Sequence, residues 1–177
     1  PTITPDEITE EMLSKYQCIY IEGYLLVNEP LVRSTMEKAK KLGLKVALDL
    51  SNFNIVNAFK GMLEDIIPKY VDILFSNESE AEAFTGQKAA EAVHTLSELV
   101  EVSLVTLGKE GALIGSHGQF YSVPAEGGKP VDTTGAGDNF AAGFLYGQSI
   151  GASLVQSARI GSMLAGYVID VVGRRSV

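Results

Sequence analysis

The sequence predicts an α/β fold in which helices cover both faces of a mostly parallel sheet. Short apolar runs alternate with longer amphipathic stretches along the chain. Such alternation is typical of parallel sheets, because each crossover between parallel strands places a helix on one face of the sheet. A Gly-rich stretch lies before the last two helical patterns. Ligands in parallel sheets bind in loops beyond the carboxyl ends of the strands, so this stretch is a candidate binding loop.

Helix boundaries in the first part of the chain carry capping signals. Thr4 and Glu7 fit a capping box around Pro5, which suits the first position of a helix. Asn28 and Gly43 fit the start and the stop of the second helix. The predicted elements of this part are, in order, a helix over 4–14, a strand over 18–22, a helix over 28–42, a strand over 45–50 and a helix over 54–67 that closes near Pro68.

The second part of the chain continues the alternation and adds a hairpin. The runs VDILFS and VSLVTL predict strands, and two short helical patterns lie between them. His117-Gly118 separates two further alternating runs, which predicts a β-hairpin. The predicted elements are a strand over 71–76, helices over 78–85 and 88–99, a strand over 102–107, hairpin strands over 112–116 and 119–123, and helices over 138–149 and 153–172.

Composition narrows the class of protein. The 177 residues suit one domain over 1–177, and the net charge of -8, from 22 acidic and 14 basic side chains, argues against a nucleic-acid or polybasic membrane partner. Cys18 is the single cysteine, so an internal disulfide or a cysteine metal site is excluded, and its apolar neighbours predict a packing role. No signal peptide opens the chain and the apolar stretch 154–172 contains charged residues, so we expect a cytoplasmic protein without a membrane span.

The Gly-rich run Asp132 to Asp138 reads DTTGAGD and precedes a predicted helix. Backbone N–H groups of such a turn, together with the helix N-terminus, attract phosphate or developing negative charge. A carboxylate at that place suits a base that takes a proton from an attacking hydroxyl. The alternative is a plain glycine turn with Asp138 as a helix cap. A P-loop motif is absent from the sequence, and Phe140 occupies the third glycine position of a dinucleotide fingerprint.

Other candidate residues follow the predicted strands. Asn77-Glu78-Ser79-Glu80 comes directly after VDILFS, and it also fits an ordinary capping box. Thr106 to Gly111 reads TLGKEG and fits a strand-to-strand turn with an exposed lysine. Polar or glycine residues stand just past the carboxyl ends of the strands at Glu22, Asp49, Asn77, Gly108 and Asp132.

DTTGAGD followed by NFAAGFL resembles the C-terminal signature of the PfkB carbohydrate kinases, the family of ribokinase, fructokinase and adenosine kinase. The resemblance implies a three-layer ribokinase-like, Rossmann-like fold. It also implies that Asp138 is the general base and that the amides of Gly135, Ala136, Gly137 and Asp138 form an anion hole. Asp132 resembles the family residue that helps to hold a monovalent cation, usually potassium.

The same resemblance assigns the nucleotide-binding residues. Asn77 and Glu80 match an NxxE motif that acts around magnesium-bound waters and ATP phosphates, so Glu80 would act on magnesium through water. TLGKEG resembles a turn that approaches the nucleotide phosphates, and Asp49 falls where relatives place Asp or Asn near them. The resemblance thus implies ATP contacts at Asp49, Asn77, Glu80, Thr106, Gly108, Lys109, Gly111 and, against adenine, Ser162.

The resemblance covers the C-terminal half of the family architecture, from about residue 21 to Gly173. The N-terminal half, with the β-sheet lid and most acceptor contacts, is not in this sequence. We therefore expect this chain to be the nucleotide-binding and catalytic part of a larger ATP- and magnesium-dependent kinase that phosphorylates a hydroxymethyl group on a sugar or nucleoside. The chain alone should be inactive, and relatives that dimerise through the lid make a homodimer an option for the full-length protein. The alternatives are a non-catalytic nucleotide-binding or regulatory relative and a kinase for a pyridoxine-like vitamin.

Overall fold

The computed structural model describes the backbone of residues 2–125 and 136–172, and the side chains of 2–125 and 137–163. Within these residues, six strands form one sheet in the order β1-β2-β3-β4-β5-β6. The strands are β1 Cys18–Glu22, β2 Lys45–Asp49, β3 Ile73–Asn77, β4 Val102–Thr106, β5 Ala112–Ser116 and β6 Gln119–Val123. The α-helices are α1 Glu10–Leu13, α2 Glu29–Lys41, α3 Phe53–Ala58, α4 Lys60–Tyr70, α5 Glu78–Thr85, α6 Ala89–Ser97, α7 Ala136–Ser149 and α8 Leu154–Val172. Short 3-10 helices cover Pro5–Glu7, Gly23–Val27 and Gly108–Glu110.

The first three strands are parallel, and their register aligns the predicted candidates. Glu22 at the end of β1 pairs with Asp49 at the end of β2, and Asp49 pairs with Phe75 in β3. Helices alternate with these strands, as apolar strands in a parallel sheet require. The α/β class and the mostly parallel sheet are therefore confirmed.

The β-hairpin is confirmed as well, and it makes the sheet mixed. His117 and Gly118 connect β5 to β6, and both have positive φ, at 49° and 75°. Two successive residues with positive φ are what a type I′ turn needs, and this turn matches the twist of the flanking strands.

Two helices that the sequence predicts as continuous are each divided into two shorter elements, so these two predictions are wrong. The helix predicted over 4–14 becomes a 3-10 turn and α1, because the Thr9 hydroxyl accepts a hydrogen bond from the N–H of Met12 (3.2 Å) and starts a new helix. The helix predicted over 54–67 divides at Phe59, whose φ of -116° and ψ of 25° leave the helical region. Its second part continues through Pro68 to Tyr70.

Contacts divide the described residues into two compact units. Residues up to Val105 together with Gly115–Gln119 form the first unit, and Thr106–Ile114 together with the residues from Phe120 onward form the second. The prediction of a single domain over 1–177 stays a prediction. No helix within the described ranges is long and apolar enough to cross a membrane.

Each unit has its own buried core. In the first unit, side chains from β2, β3 and α4 are inaccessible to solvent, including Leu48, Leu74 and Ile66. In the second, α7 packs closely against α8, with Phe144 and Ala158 fully buried. The crossing depends on glycine, because a Cβ atom at Gly143 would lie 2.7 Å from the Cα atom of Gly161.

Candidate active site

Asn77 and Glu80 lie at the junction of β3 and α5, where each caps the other. The Asn77 side-chain oxygen accepts a hydrogen bond from the N–H of Glu80 (2.8 Å), and a Glu80 carboxylate oxygen accepts one from the N–H of Asn77 (3.0 Å). The capping box is therefore present. It also holds the Glu80 carboxylate beside the carboxyl end of β3, so the capping interpretation and the functional one are compatible.

The Glu80 carboxylate is in an electrostatically unfavourable place. Its side chain is almost fully buried, at 5% exposure. Burial is the main cause that raises its pKa to about 7; the negative charge of Asp49 adds to the rise, and the hydrogen bond from Asn77 opposes it. The negative charge of Asp49 therefore disfavours ionisation of Glu80 at the ends of β2 and β3.

Asp49 is half-buried at the end of β2, and its two carboxylate oxygens accept hydrogen bonds from different parts of the chain. The hydroxyl of Tyr20 in β1 donates to Oδ2 (2.9 Å), and the N–H of Ser51 donates to Oδ1 (2.8 Å). Ser51 adopts a φ of 67°, which is uncommon for a residue with a side chain. Its hydroxyl oxygen also accepts a hydrogen bond from the N–H of Gly23 (2.7 Å), at the end of β1.

Sequence reasoning missed this support of Asp49. Tyr20 reads as an ordinary strand residue, and its role depends on the register of β1 against β2. Gly23 reads as the start of an apolar stretch, yet a Cβ atom there would lie 2.6 Å from the carbonyl oxygen of Leu50. The available signal is the position of Gly23 and Ser51 just beyond the ends of neighbouring strands.

In the second unit, the turn after β4 has the glycine geometry that TLGKEG predicts. Gly108 and Gly111 have φ of 60° and 101°, and a Cβ atom at Gly111 would lie 1.9 Å from the carbonyl oxygen of Val123. The N–H of Leu107 donates to the carbonyl oxygen of Gly111 (2.7 Å) and closes the turn. Thr106 ends β4 half-buried, and Lys109 is exposed.

The start of α7 carries the predicted base. Asp138 is exposed in the first turn of this helix, and Gly137 before it is exposed as well. Asp132 and Gly135 lie outside the described residues, so the anion hole and the monovalent-cation site stay predictions. Ser162, predicted to contact adenine, lies in α8 with 9% of its surface exposed.

The predicted residues that the structure describes divide into two groups, one in each unit. Asp49, Asn77 and Glu80 lie at neighbouring strand ends of the first unit. The second unit contains Thr106, Gly108, Lys109, Gly111, Ala136, Gly137, Asp138 and Ser162.

The first group fits a magnesium ion held through water. Within the described part of the chain, no three His, Cys, Asp or Glu side chains cluster as a protein-only metal cage requires. Magnesium commonly keeps several waters and is bound by one or two carboxylates together with substrate phosphates. Asp49 and Glu80 supply two carboxylates. Burial is the main cause of the raised pKa of Glu80, and a cation would offset both the cost of burying its charge and the smaller effect of the Asp49 charge.

Comparisons with known proteins support the family resemblance found in the sequence. A model described as pfkB family carbohydrate kinase matches residues 2–176. Adenosine kinase of Saccharomyces cerevisiae is 31% identical over 96% of this chain and 55% of its own length. An uncharacterized sugar kinase of Archaeoglobus fulgidus is 30% identical over 98% of this chain and 69% of its own length.

A solved structure is similar throughout the chain. The crystal structure of adenosine kinase from Sinorhizobium meliloti has a TM-score of 0.89 and 30% identity, over 95% of this chain and 53% of that protein. This likeness confirms the ribokinase-like fold expected from the sequence. This chain spans about half the length of that enzyme and of the yeast enzyme.

Proposed function

Because this chain belongs to the pfkB family of carbohydrate kinases, we propose that the full-length protein transfers the γ-phosphoryl group of ATP to a hydroxymethyl group of a sugar or nucleoside. The adenosine and sugar kinases among its relatives support that acceptor class. The observation that carries the proposal is the exposed Asp138 carboxylate in the first turn of α7, directly after the run DTTGAG. We assign most acceptor contacts to the part of the full-length protein outside this chain.

In the proposed reaction, Asp138 accepts the proton of the acceptor hydroxyl. The acceptor oxygen then bonds to the γ-phosphorus of ATP, and the bond from that phosphorus to the β,γ-bridging oxygen breaks, which releases ADP. The N-terminus of α7 favours the negative charge that develops beside it. We propose that the amides of Gly135 to Asp138 bind this charge and that Asp132 helps to hold a potassium ion.

We assign the remaining candidate residues to ATP binding. Asn77 and Glu80 would act around magnesium-bound waters, and magnesium when bound would neutralise charge on the phosphates. Asp49 and the glycine turn would lie near the phosphates, with Lys109 as an exposed cation. Ser162 would contact adenine.

Asp138→Asn in the full-length protein tests the base. Removing a general base lowers kcat by about 10²- to 10⁴-fold, whereas the Kd for ATP should change little. Glu91→Gln is a matched control, because it also converts an exposed carboxylate in the first turn of a helix to an amide. Near-normal turnover by Asp138→Asn would show that this carboxylate is not the base.

Kinase assays of the full-length protein with a panel of sugars, nucleosides and pyridoxine-like compounds test the acceptor class. Turnover should appear with a sugar or nucleoside, and it should be absent from the 177-residue chain tested alone. ATP binding by calorimetry without turnover on any acceptor would favour the non-catalytic relative. Turnover on pyridoxine-like compounds alone would favour the vitamin kinase.

A further inference from the structure

The Asp49 carboxylate is held in place by both of its oxygens. Oδ2 accepts from the Tyr20 hydroxyl at 2.9 Å, and Oδ1 accepts from the Ser51 N–H at 2.8 Å. Hydrogen bonds to a charged carboxylate are short and strong, and two of them from different directions restrict its rotation. The orientation of Asp49 therefore depends on groups outside β2.

Tyr20 reaches Asp49 because of the parallel register. Tyr20 pairs with Ala47 and Asp49 pairs with Phe75, so side-chain alternation places all four residues on the same face of the sheet. The Tyr20 ring packs edge-on against Phe75, with ring centroids 6.2 Å apart and planes 71° apart. Ala47 has a small side chain, which leaves room on this face for the ring to extend toward Asp49.

Ser51 lies just beyond the end of β2, and its hydrogen bonds connect the Asp49 carboxylate to the residue that follows β1. Its left-handed backbone turns its N–H back toward Asp49, and its hydroxyl donates to the Asp49 carbonyl oxygen (3.3 Å). The same hydroxyl oxygen accepts from the N–H of Gly23 at 2.7 Å. An unusual backbone conformation kept next to candidate binding residues is typical of functional sites.

We propose that Tyr20 is a positioning residue, which orients the Asp49 carboxylate for nucleotide binding and acts on the reaction only through Asp49. The inference rests on the proposed function, because it takes Asp49 as a residue near the ATP phosphates. Tyr20 itself needs no contact with ATP. Its phenol contributes one oriented O–H donor, and its ring is held by Phe75.

Tyr20→Phe in the full-length protein tests this role, since it deletes the hydroxyl and keeps the ring. Loss of a hydrogen bond to a charged group should lower kcat/KM for ATP roughly tenfold, through a higher KM more than a lower kcat. Tyr70→Phe is the matched control, because the Tyr70 hydroxyl also donates to a carboxylate, that of Glu37 (3.0 Å), on helices away from these strand ends. Tyr70→Phe should change kcat/KM by less than about twofold.

A double-mutant cycle separates positioning from a general structural effect. In the Asp49→Ala background, Tyr20→Phe should change kcat/KM and the ATP Kd by less than about twofold, because Asp49→Ala removes the carboxylate through which the effect of Tyr20 passes. A tenfold loss that persists in that background, or no loss in the wild-type background, would overturn the inference.

Calorimetry keeps this test distinct from the test of the kinase activity. If the wild-type protein binds ATP but phosphorylates no acceptor, the proposed function fails. The double-mutant cycle then tests the role of Tyr20 from the Kd values for ATP alone. If the wild-type protein neither binds ATP nor turns it over, the inference falls with the proposed function.

Discussion

The α7–α8 crossing leaves no space for a side chain at Gly143, so Gly143→Ala is a direct test of the packing in the second unit. The added Cβ atom would lie 2.7 Å from the Gly161 Cα atom and 3.0 Å from both the Gly161 nitrogen and the Ile160 carbonyl oxygen. Carbon atoms normally pack about 3.5–4.0 Å apart, so the helices would have to separate by about 1 Å. Because all three neighbours are backbone atoms, no change of rotamer relieves the contact.

Two opposing terms set the size of the effect. Overpacking of a close contact costs about 1–3 kcal/mol, and the better helix propensity of alanine offsets up to about 1 kcal/mol of that. Because the contacts at Gly143 are with backbone atoms, the cost should lie in the upper part of that range, about 2–3 kcal/mol, and the net loss in the free energy of unfolding should be about 1–2 kcal/mol. For a domain of this size, that loss lowers Tm by about 2–8 °C.

Thermal and urea denaturation of the full-length protein would measure this loss. Gly61→Ala is the control, because Gly61 lies in α4 and an added Cβ atom there would have nothing within 4 Å, so the substitution should be neutral or slightly stabilising. If Gly143→Ala stabilises the protein as much as Gly61→Ala does, the crossing is looser than these distances indicate. Since α7 also carries Asp138, Gly143→Ala should lower kcat more than Gly61→Ala does.

Two further predictions concern the candidate residues of each unit. Burial and the charge of Asp49 raise the pKa of Glu80 from 4.5 to about 7, so the folded protein holds a proton that the unfolded chain releases, and stability should fall as pH rises through this window. Glu80→Gln removes that titration. Without ATP or magnesium, the urea midpoint of this variant should fall less between pH 5 and pH 8 than the midpoint of the parent protein. An equal fall in both proteins would contradict the assigned effect of burial. Gly111→Ala should lower Tm more than Gly108→Ala, because a Cβ atom meets the Val123 carbonyl oxygen at Gly111 and open space at Gly108, and equal losses would mean that positive φ alone sets the cost.

The strands are predictable because their signals are local. Cys18–Glu22 and the two hairpin strands begin and end where the apolar runs do, and α2 starts after its predicted cap, Asn28. The two broken helices are not predictable by the same reasoning. Thr4 and Thr9 both fit an N-cap, and a helical pattern continues across Phe59, so only the folded backbone decides where each helix begins.

The candidate site residues can be predicted where a motif names them. Asn77 and Glu80 belong to four residues that also fit a capping box. The structure contains that box, and the role of these residues toward magnesium and ATP stays a prediction. The Glu80 carboxylate is buried at the end of a strand, where few water molecules reach it. The hydrogen bond from the N–H of Asn77 partly replaces the missing solvation. When it is ionised, a carboxylate in this position favours the start of the helix and would be able to bind a cation.

Tyr20 shows why the support of a site is harder to predict than the site itself. It is separated from Asp49 by 29 positions, and nothing in its own neighbourhood distinguishes it from other strand residues. Its proposed role requires that β1 and β2 are parallel and in a register that pairs Glu22 with Asp49, because a shift by one residue would turn the phenol to the opposite face. Motifs report residues that meet a ligand, whereas the residues that orient them depend on strand pairing, and strand pairing is decided by the whole sheet.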